Sequence, residues 1–224
     1  PTPFFSDTDK GISYYNKAVS IYASFEDKQS GLYKTSLYAG KNIGDIMMWD
    51  GENIAYKKQQ RLILNPEDFS KSSAETPIVI QGQMEDNAGH IDKKVMNNKV
   101  VIDNIKPQIT VTYDSDNKTN YYNASRKATV TVKEQNFNLD AVKWDIQGSN
   151  KNYRIGRWKS TKEEHVCEVY FEEDGENYAI NLSMTDYAGN KAEWKDKMQF
   201  TIDKTMPKVF AKIEGIVKNT GYFN

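Results

Sequence analysis

Short segments in which apolar and polar residues alternate run along most of this chain. Alternation with a period of two is typical of antiparallel strands that bury one face. In the second half these segments are 109–113, 128–134, 141–146, 165–171, 178–184 and 197–203, with a weaker one at 153–158. In the first half they are 18–25, 77–84 and 98–103. No helical stripe of comparable strength competes, so the pattern predicts an all-β protein.

An internal repeat organises these strands. Positions 84, 86, 88 and 89 hold Met, Asp, Ala and Gly, and the same residues recur at 184, 186, 188 and 189. The pair Ile-Asp at 102–103 returns at 202–203, and proline follows each pair at 107 and 207. The constant offset predicts two complete units followed by a stub.

The Asp-x-x-x-Pro element sets the predicted domain limits. Unit one is residues 1–106, unit two is residues 107–206, and residues 207–224 begin a third repeat or form a C-terminal stub. Since about seven short strands in about 100 residues indicate a β-sandwich, we expect two tandem immunoglobulin-like sandwiches. Proline restricts its own backbone and that of the residue before it, so the linker should be short and stiff.

Several positions fit the strands of an immunoglobulin fold. The two Ala-Gly elements, at 88–89 and 188–189, predict the turns between the last two strands, F and G, because glycine supplies a positive φ. Trp144 resembles the inward tryptophan of strand C, or is simple core filler. Asp174, Gly175 and Tyr178 resemble a tyrosine corner, which unit one lacks because Ile78 stands at the position of Tyr178.

The closing segment of unit two carries a family resemblance. Asp-x-Ala-Gly-Asn at 186–190, Phe-Thr-Ile-Asp at 200–203 and then Pro207 resemble the last strands of bacterial Ig-like repeats. Such repeats recur in tandem on the surface proteins of Firmicutes. The resemblance implies a secreted, cell-surface or cell-wall-associated Gram-positive protein.

Composition narrows the classes of partner. The formal net charge is −1 and the pI is near 6.3, which disfavours nucleic acid. There is no apolar run of the roughly 18 residues that a membrane span needs. Cys167 is the single cysteine, so no internal disulfide forms, and we expect an inert buried thiol.

Catalytic constellations are not evident in the sequence. Only His90 and His165 are available as histidine proton carriers, and both are expected at the surface. No nucleophile elbow, phosphate-binding glycine loop or paired-histidine metal motif is present. We therefore expect that the chain is not an enzyme and needs no cofactor.

A repeated Asp-x-Asp is the candidate metal motif. Asp7 and Asp9 of unit one align with Asp114 and Asp116 of unit two, in the connection ahead of a Tyr-Tyr-Asn triplet. Clustered carboxylates bind calcium, so one hypothesis is a calcium site at each interdomain joint. The alternative is a solvated loop in which aspartate favours turns.

Four aromatic residues outside the clearest core positions are candidate ligand contacts: Trp49, Tyr56, Trp158 and Trp194. Exposed rings can form a sugar platform, whereas on a sandwich they also cover a sheet edge or a joint.

The sequence favours a monomeric, non-catalytic structural spacer whose partners are the adjacent repeats of a longer protein. One alternative is an adhesin segment that binds a host glycan or matrix protein. Another is a pair of accessory modules of a cell-surface carbohydrate-active enzyme.

Overall fold

The structure is a computed structural model, and it describes residues 3–7, 10–40, 47–52, 56–69, 77–115, 119–212, 217–218 and 222–223. Within these ranges the regular structure is almost entirely β-strand, with one short helix, α1 (Pro66–Phe69), and a 3-10 turn at Leu139–Ala141. No helix in these ranges is long and apolar enough to cross a membrane.

Unit one contains nine strands in the described ranges. They are β1 (Phe5–Asp7), β2 (Ile12–Tyr15), β3 (Val19–Glu26), β4 (Leu32–Gly40), β5 (Met47–Glu52), β6 (Lys57–Leu64), β7 (Val79–Asp86), β8 (Ile91–Val95) and β9 (Lys99–Ile102). One sheet has the order β5-β4-β7-β8. Opposite it lie the antiparallel pair β3-β6 and the three-stranded sheet β1-β2-β9, in which β2 runs parallel to β9.

Unit two contains ten strands in the described ranges. They are β10 (Gln108–Tyr113), β11 (Tyr121–Tyr122), β12 (Arg126–Lys133), β13 (Lys143–Gln147), β14 (Tyr153–Ile155), β15 (Lys159–Ser160), β16 (Glu164–Phe171), β17 (Gly175–Thr185), β18 (Lys191–Lys195) and β19 (Phe200–Ile202). One sheet has the order β10-β12-β16-β14, with β15 also paired to β16. The other has the order β11-β19-β17-β13, with β18 also paired to β17.

The two units share a topology that the repeat predicts. In unit one Tyr15 pairs in parallel with Ile102, and in unit two Tyr122 pairs in parallel with Ile202. A last hairpin, β20 (Val217–Lys218) with β21 (Tyr222–Phe223), follows unit two.

Each unit has its own hydrophobic core. The buried cluster of unit one runs from Val19 to Ile102, and that of unit two runs from Val111 to Ile202. Strand β12 shows why the sequence pattern works, because its residues alternate between buried and half-buried up to Val132, and the last residue is exposed. The all-β, Ig-like sandwich class is therefore confirmed. The residue limits of the units stay a prediction.

Predicted details of unit two can be compared with the structure. Trp144 is half-buried and packs on the unit-two core, as expected. Tyr178 is fully buried, and its hydroxyl donates to Asn150 Oδ1 at 2.7 Å and to the Glu173 carbonyl at 3.4 Å. The tyrosine hydroxyl thus reaches nearby backbone, but its shorter hydrogen bond is to a side chain. Strand G differs from the prediction, since it is divided into β18 and β19.

The units contact each other directly at their joint. Tyr14 of unit one lies against Tyr187 of unit two, with ring centroids 5.5 Å apart. Gly189 lies so close to Phe4 that a Cβ there would approach the ring to 2.7 Å. The F–G turn of unit two is therefore packed against unit one.

Candidate metal centre

The F–G turn of unit two fixes one acidic side chain. The Gly189 amide donates to the Asp186 carbonyl at 3.2 Å, and the Asp186 amide donates to the Asn190 carbonyl at 3.0 Å. Gly189 has φ +96°, a conformation that L side chains rarely adopt, which explains the repeated glycine. Asp186 Oδ1 accepts a hydrogen bond from the Asn190 backbone amide at 2.8 Å, so the turn holds its own carboxylate in place.

The connector between the units supplies a second carboxylate. The Asp103 amide donates to the Tyr15 carbonyl at 2.9 Å, which continues the β2-β9 pairing beyond Ile102. Asp103 Oδ1 accepts the Ile105 amide at 2.9 Å, an Asx turn that starts the connector.

The end of strand β12 supplies the third carboxylate. Glu134 follows β12 directly, and its Oε1 accepts the Asn136 amide at 2.7 Å. The Glu134 carbonyl lies 2.7 Å from His165 Nε2, and the His165 ring stacks on Phe137 at 4.0 Å. These contacts fix the loop that carries the carboxylate.

These three residues converge in one buried cluster. One carboxylate oxygen from each of Asp103, Glu134 and Asp186 lies within 4.8 Å of the others. The exposed fractions of the three residues are 2%, 7% and 0%, in the same order. We call Asp103, Glu134 and Asp186 the joint carboxylates, because they come from the connector and from the face of unit two that meets it.

Two asparagine amides are the polar partners of the joint carboxylates. Asn136 Nδ2 donates to Asp103 Oδ2 at 2.7 Å. Asn190 Nδ2 donates to Asp186 Oδ2 and to the Asp103 carbonyl, both at 2.8 Å. No lysine or arginine in the described ranges forms an ion pair with the three residues. The cluster is therefore hydrogen-bonded but carries no compensating side-chain charge.

The environment disfavours the ionised forms of Glu134 and Asp186. Burial, opposed by the hydrogen bond from the Asn136 backbone amide and aided by the charges of Asp186 and Asp103, raises the pKa of Glu134 to about 7, with burial the largest cause. Burial likewise raises the pKa of Asp186 to about 6, with Asp103 adding to the effect and the hydrogen bonds from Asn190 opposing it. Near neutral pH Glu134 is therefore partly protonated, and a bound cation would favour its ionised form.

The chemistry of the donor set fits a hard divalent cation. Calcium is bound by carboxylate, amide and backbone carbonyl oxygens. Here three carboxylates, the Asp103 carbonyl and two asparagine amides lie together, and turning either amide over replaces a donor with an acceptor. A lysine or arginine partner is not needed for such a site, because a bound cation would itself offset the buried negative charge.

Two of the four aspartates that the sequence singled out, Asp7 and Asp114, are described, and both lie outside this cluster. Asp7 pairs with Lys10 at 3.2 Å, and Asp114 accepts the Lys127 amide at 3.0 Å and lies 3.9 Å from Arg126 Nε. Asp9 and Asp116 lie outside the described residues. In the described ranges these positions form turns and ion pairs, and calcium binding by the Asp-x-Asp motif stays a prediction.

The three aromatic candidates with described side chains are divided between the two units. Tyr56 is 59% exposed in unit one. Trp158 and Trp194 are half-buried in unit two and pack against its core, with Trp158 beside Phe137 and Trp194 donating to Asp196 at 3.0 Å. The backbone of Trp49 lies in β5, but its side chain is outside the described part.

Histidine and cysteine show one correction. His90 is a surface residue that lies 2.9 Å from Asp86, as expected of an exposed side chain. The prediction that His165 lies at the surface is wrong. The His165 side chain is only 5% exposed, stacks on Phe137 and contacts the Glu134 carbonyl. Cys167 is fully buried, and burial raises the pKa of its thiol to about 11, which confirms the prediction of a buried thiol.

Comparisons with known proteins add a likeness in structure. No family model matches this chain, and no curated protein matches it. The structure is similar to one titled "Structures of Clostridium thermocellum CbhA fibronectin(III)-like modules", with 15% sequence identity and a TM-score of 0.32. That match covers 90% of this chain and 94% of the other.

Sequence reasoning missed the joint carboxylates as a group. In the sequence Asp103 and Asp186 are repeat markers, and Glu134 ends an alternating segment. The sequence does indicate that each of these acidic residues ends a predicted strand or starts a turn. It does not indicate that all three lie at the same end of unit two. That convergence follows only once the strands are paired.

Proposed function

We propose that this chain is a non-catalytic structural segment of a larger extracellular protein, in which serially linked Ig-like modules keep other parts of that protein apart. The observation that carries the proposal is the joint. Asp103 belongs to the connector, yet Asn136 and Asn190 of unit two hydrogen-bond to it and leave it 2% exposed. A connector bonded in this way favours a fixed angle over a hinge.

Direct packing between the units supports the same proposal. Tyr14 contacts Tyr187, and Phe4 lies over Gly189, so unit one covers the F–G turn beside the connector. Side chains from both sides of the connector therefore restrict rotation about it.

The exit from unit two supports a serial arrangement. The Asp203 amide donates to the Tyr122 carbonyl at 2.9 Å, and Asp203 Oδ1 accepts the Thr205 amide at 2.9 Å. Both contacts repeat those of Asp103 with Tyr15 and Ile105. The chain thus leaves each unit through the same turn, which is suited to one module following another.

Within this proposal, a divalent cation of the calcium type binds the joint carboxylates and strengthens the joint. It would neutralise buried like charges that otherwise repel or take up protons. The ligands would come from the connector and from unit two, so binding would tie the two together.

The experiment is small-angle X-ray scattering of the chain with EDTA and with millimolar calcium. The expected result is one compact interdomain distribution for the wild type and a broader one for the double variant Asn136→Ala, Asn190→Ala. Asn181→Ala is the matched control, because its amide bonds only to Asp145 within unit two. An equally broad distribution in all three proteins would contradict a fixed joint.

A binding array on the same preparation separates the alternatives. A reproducible glycan or matrix-protein hit that is lost on changing Tyr56 would favour the adhesin function. Among the aromatic candidates named from the sequence, Tyr56 has the most exposed described ring. Activation of a carbohydrate-active enzyme by the isolated chain would favour the accessory function.

A further inference from the structure

Strand β3 of unit one has one edge that no described strand pairs with. In unit two the corresponding strand is β12, since each follows the strand that pairs in parallel with the last strand of its unit. β12 lies between β10 and β16, whereas β3 pairs only with β6 among the described strands. Unpaired edges present backbone donors and acceptors that another strand can use.

In unit two the corresponding edge of β12 is occupied by strand β10. It pairs with β12 over six residues, from Gln108 opposite Lys133 to Tyr113 opposite Ala128. Its Val111 is 8% exposed, and the Tyr113 hydroxyl donates to Asp196 just beyond β18. β10 therefore closes the sandwich of unit two between β12 and β18.

An apolar groove occupies the matching place in unit one. It has a volume of about 240 Å³ and lies between β3 on one side and β7 and β8 on the other. All five residues from Ile21 to Phe25 line it, so it borders the edge of β3 as well as its inner face. Gly82, Met84 and Met96 line the opposite side, together with the charged Asp92 and Lys94 of β8.

One cross-strand row explains the groove. In unit two Trp144, Leu182 and Trp194 are neighbours across β13, β17 and β18. The same row in unit one is Leu37, Gly82 and Lys94, across β4, β7 and β8. Three large side chains occupy the row in unit two, whereas the row in unit one has a glycine at its centre and borders the groove.

A segment whose sequence resembles that of β10 follows unit two. Pro207 matches Pro107, and the residues after it repeat the apolar positions of β10, with Val209 for Ile109 and Ala211 for Val111. Val209 is 93% exposed and Phe210 is 89% exposed. Residues 203–212 have no regular secondary structure. This segment therefore carries the sequence of an edge strand and exposes its apolar side chains.

We propose that residues 208–211 of one copy add to this edge of β3 in a second copy as an antiparallel strand. Backbone hydrogen bonds along β3 supply affinity, and apolar side chains of the added strand enter the groove. The donor and acceptor surfaces differ, so the contact is heterologous and joins copies head to tail. The sequence alone favoured a monomer.

Sedimentation equilibrium of the whole chain tests this assembly. A four-residue strand buries less than the roughly 1,200 Å² of a stable interface, so the protein should be studied from about 10 µM to about 1 mM. The expected result is concentration-dependent association of the wild type. The donor variant Val209→Asp, Phe210→Asp should associate at least about tenfold more weakly, because its donor segment no longer fits the apolar groove. Met206→Asp is the matched control, being 84% exposed but outside the donor strand.

The acceptor side has its own variant. Gly82→Leu restores the residue of unit two, and a Cβ at Gly82 has an ordinary 3.4 Å contact with the Phe25 ring. This variant should also lose association. Mixed with the donor variant it should give a 1:1 dimer and nothing larger, because each protein keeps one intact surface. A wild-type monomer over the whole concentration range, or equal association in all variants, would overturn the proposal.

Discussion

The repeated turn aspartates show that one motif can serve two electrostatic environments. In unit one His90 bonds to Asp86, and this hydrogen bond lowers the pKa of Asp86 to about 2. In unit two the same turn position is Asp186, whose pKa burial raises to about 6. The backbone geometry of the turns is the same, so the neighbours and not the motif decide the charge.

Glu134 provides the pH prediction at this scale. Its folded pKa is near 7 and above the ordinary 4.5, so the metal-free fold binds the proton more tightly than the unfolded chain does. The stability that this tighter proton binding adds to the fold is fully present below pH 4.5, and it is lost as the pH rises through about 7. Glu134→Gln removes this loss, so it should stabilise the protein by about 2–3 kcal/mol at pH 7.5 in EDTA and much less at pH 5.

Urea denaturation at both pH values in EDTA measures this difference. Glu163→Gln is the control, because Glu163 is exposed beside the same loop. A gain from Glu134→Gln that is equal at pH 5 and pH 7.5 would rule out titration of the buried carboxyl as its cause.

Tyr178 provides a second prediction. Its fully buried hydroxyl donates to Asn150 at 2.7 Å, so Tyr178→Phe leaves a partly buried amide oxygen without this donor. The expected loss of unfolding free energy is about 1–2 kcal/mol. Thermal denaturation measures it beside Tyr22→Phe, since Tyr22 is 72% exposed. Equal stability of the two variants would show that the corner contributes no net energy.

At the scale of elements, strands were predictable where burial alternates. β12 and β16 alternate regularly, and both were found from the sequence. β4 was missed because it has adjacent buried residues and shifts of register, which remove the period of two. β6 was missed because its first buried position is Gln60, which bonds to Thr35 at 2.8 Å inside the core.

Arg126 ties several elements of unit two together. It begins β12, is 4% exposed, and its guanidinium carbon lies 3.7 Å from the ring centre of Tyr122 and 4.5 Å from that of Tyr113. Buried cation–π contacts contribute about 2 kcal/mol, and the alkyl stem adds packing. Arg126→Ala should therefore lower the unfolding free energy of unit two by about 3 kcal/mol.

Arg154→Ala is the matched control for this substitution. Arg154 lies 3.9 Å above the ring of Tyr170, but its side chain is 58% exposed. Its loss should cost about 0.5–1 kcal/mol in the same urea titration. Equal losses for the two arginines would mean that burial does not strengthen the stacking.

At the scale of the whole molecule, the tandem arrangement was predictable and the joint was not. The constant repeat offset and the alternating strands indicate two similar sandwiches in series. The joint carboxylates stand at positions 103, 134 and 186, and no local spacing relates them. They meet because a connector, a strand end and a turn lie at one end of unit two, which depends on long-range pairing.

The joint leads to a prediction that compares two equivalent aspartates. Asp103 and Asp203 form the same Asx turn, but Asp103 faces Glu134 and Asp186 whereas Asp203 is exposed. Calcium at about 100 times its dissociation constant stabilises a folded protein by about 2.7 kcal/mol. Calorimetry with EDTA and with calcium should therefore show a higher melting temperature in calcium for the wild type and for Asp203→Asn. Asp103→Asn should lose most of this difference, because it removes a charged ligand from the cluster. If Asp103→Asn kept the full calcium shift, the cation would have to bind elsewhere, and the raised pKa values of Glu134 and Asp186 would then reflect retained protons alone.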